Sequence, residues 1–142
     1  MTMQLIGVED LKKVLEDFAP KHANNLMRTT IHGVAGEIQK EAKSRVKERT
    51  GNLRRSLKTR RRRGKPSQPA SEVYADQRAN ARYNGFYWRF VEFGTQTSPE
   101  QPFMRPARQN VFTNLPAILQ KQFKDKLIKA VDREKKKRAK KA

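Results

Sequence analysis

The sequence has no cysteine and only two histidines, and these absences exclude several kinds of chemistry. Without cysteine there is no disulfide framework and no thiolate nucleophile. Protein zinc sites take about four ligands from Cys, His and acidic side chains. His22 and His32 are ten residues apart and do not share a helix face in the i, i+4 sense. We therefore expect no metal site and no cofactor, and His32 is expected to be a partly buried helix residue.

Long apolar runs and nucleotide-binding motifs are absent too. No stretch approaches the ~18 apolar residues of a membrane span, and the segment MTMQLIGVEDL lacks the basic and apolar regions of a secretory signal. There is no glycine-rich phosphate loop and no GxSxG turn. The 14 acidic residues are too scattered to nominate a catalytic pair. These absences predict a soluble, non-enzymatic protein of a reducing cytoplasm.

Positive charge is what the chain has in excess, with a formal net charge of +19 over 142 residues. It is concentrated in residues 40–65, with 13 basic and 2 acidic side chains, and in residues 121–142, with 11 and 3. Such blocks would neutralise DNA phosphates or dock on an acidic subunit. Neither block has the interleaved aromatics of single-strand binders or a base-reading motif. The residues predicted to make this electrostatic contact are Arg60, Arg61, Arg62, Arg63, Lys65, Lys135, Lys136 and Lys137.

Apolar periodicity predicts a pair of N-terminal helices. The first covers residues 8–19 and ends at Pro20, and the second runs from residue 24 or 25 to about residue 49. Gly33 lies inside the second, at a cost of ~1 kcal/mol relative to alanine. We expect this glycine to allow the close approach of another element.

The rest of the chain predicts a small sheet and a C-terminal helix. A strand within 53–63 should pair with a strand at 71–75, and 77–85 should be an exposed loop. The C-terminal helix extends to about residue 131, and Pro116 either starts or kinks it.

We thus predict an α+β fold, in which a small antiparallel sheet packs against an N-terminal helix pair and a C-terminal helix. Residues 1–131 are expected to form a single domain, and residues 132–142 a flexible basic arm.

The nearly neutral segment RFVEFGTQTSPEQPFMRPA, residues 89–107, is rich in aromatics, proline and turn residues. We expect a helical turn at 86–92 that ends at Gly94, then an exposed loop, then a return to the core at Phe103. Glu92 is the one acid among apolar neighbours, so if buried it needs a partner, either Arg105 or Arg89. A structural ion pair is favoured over a catalytic Glu92, because no second catalytic group accompanies it.

Three segments, in order, carry a resemblance to a known family: TGNLRRSL at 50–57, YWRFVEFGT at 87–95 and QPFMRPA at 101–107. Together they resemble the small tail-completion or head–tail joining proteins of lambdoid siphophages, typified by gene product ten of the Hong Kong-type phages. The resemblance covers about residues 8–131. The polar insertion at 77–85, the RRRR run and the Lys-rich tail depart from the family pattern.

The resemblance implies a non-enzymatic virion protein of the neck or tail end, assembled in the bacterial host cytoplasm. It would complete the tail and help join it to the DNA-filled head, as part of a ring that in relatives is commonly six-fold. The implied partners are the tail terminator, the tail tube, head-completion or connector proteins and further copies of the chain, with non-specific contact to phage DNA as an additional option. No membrane contact is implied.

Two sets of residues are expected to shape the assembly surface. The predicted assembly loop consists of Tyr87, Trp88, Phe90, Glu92, Phe93, Gly94, Thr95, Pro102, Phe103 and Arg105. The family turn motif consists of Thr50, Gly51, Asn52, Leu53, Ser56 and Leu57. The competing hypothesis is a small non-specific DNA-binding or packaging accessory protein acting through the basic blocks. A hydrolase that uses Glu92 is a third.

Overall fold

One long helix packs against both strands and against the two C-terminal helices of the fold. The computed structural model describes residues 8–47, 49–63, 68–78 and 80–141, with side chains described within residues 22–140. The described elements are α1 (Val8–Arg45), α2 (Asn52–Ser56), β1 (Leu57–Arg62), β2 (Ala70–Ala75), α3 (Trp88–Phe93), α4 (Met104–Thr113) and α5 (Leu115–Lys141). The predicted α+β class is confirmed.

The predicted N-terminal helix pair is wrong, because α1 is one continuous 38-residue helix from Val8 to Arg45. Pro20 removes one intrahelical hydrogen bond and crowds the preceding turn. Strong helix formers such as Leu, Lys, Glu, Ala and Met lie on both sides of it, so the helix continues through the proline. At 1.5 Å per residue α1 is about 57 Å long.

The predicted hairpin is confirmed: β1 and β2 pair antiparallel, in a register that runs from Leu57 opposite Ala75 to Arg62 opposite Ala70. An isolated two-stranded sheet is marginally stable in water. Here the sheet packs on α1, whose Gln39 donates a hydrogen bond from Nε2 to the Leu57 carbonyl oxygen at 2.6 Å. The helix therefore supplies the support that a two-stranded sheet needs.

The C-terminal region contains two helices, α4 and α5, which are separated at Asn114. Pro116 lies in the first turn of α5. Backbone N–H groups there have no intrahelical acceptor, so the missing N–H of proline costs no hydrogen bond. Pro116 therefore starts a helix, which is one of the two alternatives left open by the sequence. The backbone of residues 132–141 continues α5 as helix. That residues 132–142 act as a separate flexible arm stays a prediction.

The core lies where the C-terminal end of α1 meets α2, the hairpin and α4. Its buried side chains are Ala42, Val46, Leu53, Leu57, Ala75, Phe103 and Ala107. Further toward the N-terminus of α1, the helices α1 and α5 approach closely at Gly33. A Cβ atom placed there would lie 2.4 Å from Gln122 Oε1, so the predicted close approach at this glycine is confirmed.

Gly85 fits against the hairpin with no room for a side chain, which corrects the prediction that residues 77–85 are wholly exposed. Gly85 is buried, and its N–H donates to the Asp76 carbonyl oxygen at 2.7 Å. A Cβ atom at Gly85 would lie 2.1 Å from Ser56 Oγ and 3.1 Å from Ala75 Cβ. The insertion is thus anchored to the core at its C-terminal end.

Gly85→Ala is expected to lower the free energy of unfolding by about 1–3 kcal/mol, because the added methyl group overpacks a filled site. Gly36→Ala is the matched control, since a Cβ atom there would meet nothing within 4 Å. Alanine at this helical position should raise the free energy of unfolding by up to about 1 kcal/mol. Urea unfolding of both variants checks this, and equal stabilities would contradict the packing described.

Candidate assembly surface

The carboxylate of Glu92, a residue of α3, caps the N-terminus of α4. Glu92 is 1% exposed. Its Oε2 accepts hydrogen bonds from the N–H groups of Phe103 at 2.8 Å and Met104 at 2.9 Å, and its Oε1 accepts one from the N–H of Arg105 at 2.9 Å. The first N–H groups of a helix have no intrahelical acceptor, and negative charge is favourable at that end. Glu92 therefore holds α3 and α4 together.

Arg105 completes the pairing of Glu92. Its Nε donates to Glu92 Oε1 at 3.2 Å, and its Nη2 donates to the Glu92 carbonyl oxygen at 3.1 Å and to Glu100 Oε2 at 2.8 Å. The guanidinium also lies 5.1 Å from the centre of the Phe93 ring. Of the two partners considered from the sequence, Arg105 makes the ion pair, whereas Arg89 lies over Trp88.

The environment of Glu92 suits a structural carboxylate. Burial raises the pKa of Glu92, but the hydrogen bonds from the N–H groups of Met104, Phe103 and Arg105 and from the Arg105 guanidinium outweigh burial, so the pKa lies below its ordinary value. The group is therefore ionised at neutral pH, with both oxygens engaged. It is poorly suited to donate a proton to a substrate.

The loop after α3 is closed by its own backbone. Gly94 has φ +73°, and a Cβ atom there would lie 2.8 Å from the Glu100 nitrogen, so the turn requires glycine. The Thr95 N–H donates to the Ser98 carbonyl oxygen at 2.8 Å, and the Gln101 N–H donates to the Val91 carbonyl oxygen at 2.8 Å. These bonds fold the loop back onto α3 and give it a defined shape.

A groove of about 430 Å³ lies between the turn that follows α1 and the α3 loop. The structure brings all three segments of the family resemblance to this groove. Its lining includes Thr50, Gly51 and Leu53 from the first segment, Tyr87, Phe90, Val91 and Thr95 from the second, and Gln101 from the third. Gly51 has φ +70°, which shapes the turn on one wall.

Large aromatic side chains beside the groove face solvent. Phe86, Phe90 and Phe93 are 63%, 58% and 60% exposed. Tyr87 and Trp88 instead pack against the core, and Phe103 is fully buried in it. We call the groove together with Phe90 and Phe93 the assembly surface.

The remaining residues of the two predicted sets fall into a supporting group and a surface group. Leu53, Ser56 and Leu57 are buried beneath the surface, and Ser56 Oγ donates to the Leu53 carbonyl oxygen at 2.7 Å. The exposed members are Thr50, Asn52, Thr95 and Pro102.

The predicted electrostatic residues lie in different environments. Arg60 pairs with Glu72 and lies 4.7 Å from the centre of the Tyr74 ring, and Arg62 Nε lies 3.4 Å from Glu72 Oε2. Arg61 and Arg63 are exposed, and Lys65 lies outside the described residues. On α5, Lys135, Lys136 and Lys137 are exposed, with Lys137 3.4 Å from Glu134.

Sequence reasoning missed Asp76, a second buried acid. It is 1% exposed, and its carboxylate accepts hydrogen bonds from Arg78 Nη2 at 2.7 Å and Lys58 Nζ at 2.8 Å. The hydrogen bonds from Arg78 and then Lys58 lower the pKa of Asp76. The position of Asp76 directly after a predicted strand was the one signal in the sequence. Its partner Lys58 on the other strand follows only from the strand register.

Glu92→Gln is expected to lower the free energy of unfolding at pH 7 by roughly 3 kcal/mol, because the amide supplies one acceptor oxygen for several buried donors. Since the pKa of Glu92 is lowered on folding, its contribution is present above the ordinary glutamate pKa of about 4.3 and is lost as the pH falls further. The variant should therefore lose part of the acid dependence of stability below that pH. Urea unfolding between pH 3 and pH 7 measures both effects.

Glu100→Gln is the control, because Glu100 pairs with the same Arg105 but is exposed. Its effect should stay within about 1 kcal/mol. A Glu92 variant as stable as this control, with an unchanged acid limb, would refute the capping role.

Of the comparisons with known proteins, one gives a match. The family described as "Bacteriophage HK97-gp10, putative tail-component" matches residues 9–94, which is more than half of the chain and spans α1 to α3. No curated protein and no solved structure matches. In the described part of the chain no helix is long and apolar enough to cross a bilayer. The protein belongs to the HK97-gp10 family of phage tail components.

Proposed function

We propose that the protein completes the phage tail at its neck end and helps join it to the DNA-filled head, as a structural, non-enzymatic subunit of a ring. Its place would then be in the virion. The observation that carries this proposal is the assembly surface, where residues of the segments 50–57 and 87–95 and Gln101 line a groove with the solvent-facing Phe90, and the exposed Phe93 lies on the same helix.

The exposed aromatics support a role in protein association. Burying a Phe side chain gives about 1.5–3 kcal/mol relative to leaving it in water. Aromatic residues are also enriched in the cores of protein interfaces. Phe90 and Phe93 stand on a short helix whose position is held by Glu92, so the surface is ordered before a partner arrives. A pre-ordered surface loses less conformational entropy on binding.

The shape of the surface supports a ring. The groove and the exposed Phe93 are different patches, since Phe93 does not line the groove, so contact between them on neighbouring copies would be heterologous. Heterologous contacts close into rings when the rotation between subunits allows it. A six-fold ring would stack on the tail tube or tail terminator on one side and on head-completion or connector proteins on the other.

The test is a phage carrying Phe90→Ser together with Phe93→Ser. We expect filled heads beside unattached or abnormal tails in electron micrographs of the lysate, with infectious titre reduced at least a hundredfold. Both side chains are exposed, so the isolated variant should keep its stability within about 1 kcal/mol.

Phe112→Ser is the matched control, because Phe112 is 52% exposed on α4 and does not line the groove. It should give complete virions. Complete virions from the double variant would overturn the joining role, and empty heads would favour a packaging accessory instead.

A further inference from the structure

A basic cleft lies between α1, β1 and α5, apart from the assembly surface. It consists of two adjoining cavities of about 300 and 380 Å³, both lined by Asn25 and Arg61. Seven cations from α1, from β1 and the residue after it, and from α5 line it: Arg28, Arg61, Arg62, Arg63, Lys126, Lys129 and Arg133. These residues are far apart in the sequence, so the cleft is formed only by the fold.

Most cations of the basic cleft lack acidic partners. Among the side chains that the structure describes, six of the seven form no ion pair within 4 Å, and the exception is Arg62, whose Nε lies 3.4 Å from Glu72 Oε2. Burial and the nearby charges of Arg61 and Lys126 lower the pKa of His32, which lines the same cleft. Among the described side chains, Glu72 pairs with Arg62 and Glu134 contacts His22, which leaves a surplus of converging positive charge. Like charges repel one another, so an anionic ligand would stabilise this site.

The extent of the charge indicates a polymeric anion. Lys126, Lys129 and Arg133 follow one another at helical spacing along α5, and Lys137 and Lys140 continue the same stripe. From residue 126 to residue 140 the helix rises by about 21 Å. This length corresponds to roughly six base-pair steps of a duplex, at 3.4 Å each. A single small anion would engage only part of it.

The composition of the cleft favours duplex DNA over a protein or a single strand. No Phe, Tyr or Trp side chain lines either cavity in the described part of the chain. Single-strand binding depends on aromatic stacking, and the cores of protein interfaces are rich in aromatics and poor in charge. Protein–DNA interfaces are much more positively charged. Phe90 and Phe93 are instead exposed at the assembly surface.

We propose that the basic cleft binds the phosphate backbone of double-stranded DNA without reading its sequence. Arg61 would be central, since it lines both cavities, whereas Arg60 is already held by Glu72 and Tyr74. The DNA contact is then made by a composite of α1, β1 and α5, of which the linear arginine run supplies only one part. This proposal goes beyond the joining role and does not depend on it.

The test compares two triple variants that remove the same charge from exposed positions. Arg61→Gln, Lys129→Gln and Arg133→Gln alter the basic cleft, and Lys47→Gln, Arg89→Gln and Arg108→Gln alter exposed sites outside it. Fluorescence anisotropy with a labelled 30-base-pair duplex of arbitrary sequence would give the affinity at 50 to 300 mM salt.

Each neutralised phosphate contributes about −0.9 to the slope of log K against log salt, so the cleft variant should flatten the slope by about 2–3. Its affinity at 0.1 M salt should fall roughly a hundredfold or more. The control should lose less than about threefold. The charge-retaining set Arg61→Lys, Lys129→Arg and Arg133→Lys should keep the wild-type slope, which separates loss of charge from loss of fold.

Equal losses in the cleft and control variants would overturn the proposal, because binding would then follow net charge alone. Tighter binding to a single strand of the same length, or displacement of the duplex by polyglutamate at equal charge, would overturn it as well. The DNA-binding assay contains no other phage protein, so a negative result would leave the joining role untouched. A failed phage assembly test would likewise leave the DNA-binding proposal untouched.

Discussion

The carboxylate of Glu92 at the N-terminus of α4 is the interaction on which the surface of this protein depends. Burying an ionised carboxylate costs several kcal/mol unless it is paired. Here three backbone N–H groups and the Arg105 guanidinium offset that cost. The link fixes α3 relative to α4, so that Phe103 enters the core while Phe90 and Phe93 face solvent. One capping interaction thereby separates the aromatic residues of a short segment into core and surface.

Local signals in the sequence predicted much of the framework around this link. Gly51 and Gly94 adopt the positive φ expected of turn glycines, and the hairpin pairs as its alternation indicates. Pro116 starts a helix, which is one of the two roles that the sequence left open. A buried Glu92 was expected to need Arg89 or Arg105, and Arg105 is the partner. These features follow from short stretches of chain, where turn chemistry and the cost of burying a charge act directly.

Features that depend on tertiary placement were not predicted. Pro20 was expected to end a helix, but the helix formers on both sides outweigh one lost hydrogen bond. Asp76 meets Lys58 only through the strand register. The basic cleft was not foreseen as a site because Arg28, Arg61 and Lys126 come from distant parts of the sequence. Runs of charge drew attention to Arg60–Arg63, yet the fold engages Arg60 and Arg62 with Glu72 and leaves Arg61 in the cleft.

We propose that the assembly surface makes contacts with proteins and that the basic cleft makes contacts with DNA. The role of the assembly surface is the central claim. It is tested most directly by placing a photo-cross-linking amino acid at position 90 or, as reference, at position 112, and identifying the cross-linked peptides in purified virions by mass spectrometry. The account predicts cross-links from position 90 to a neighbouring copy or another tail or neck protein, and far fewer from position 112. Cross-links from position 112 alone, or none from position 90 in virions that contain the protein, would contradict it.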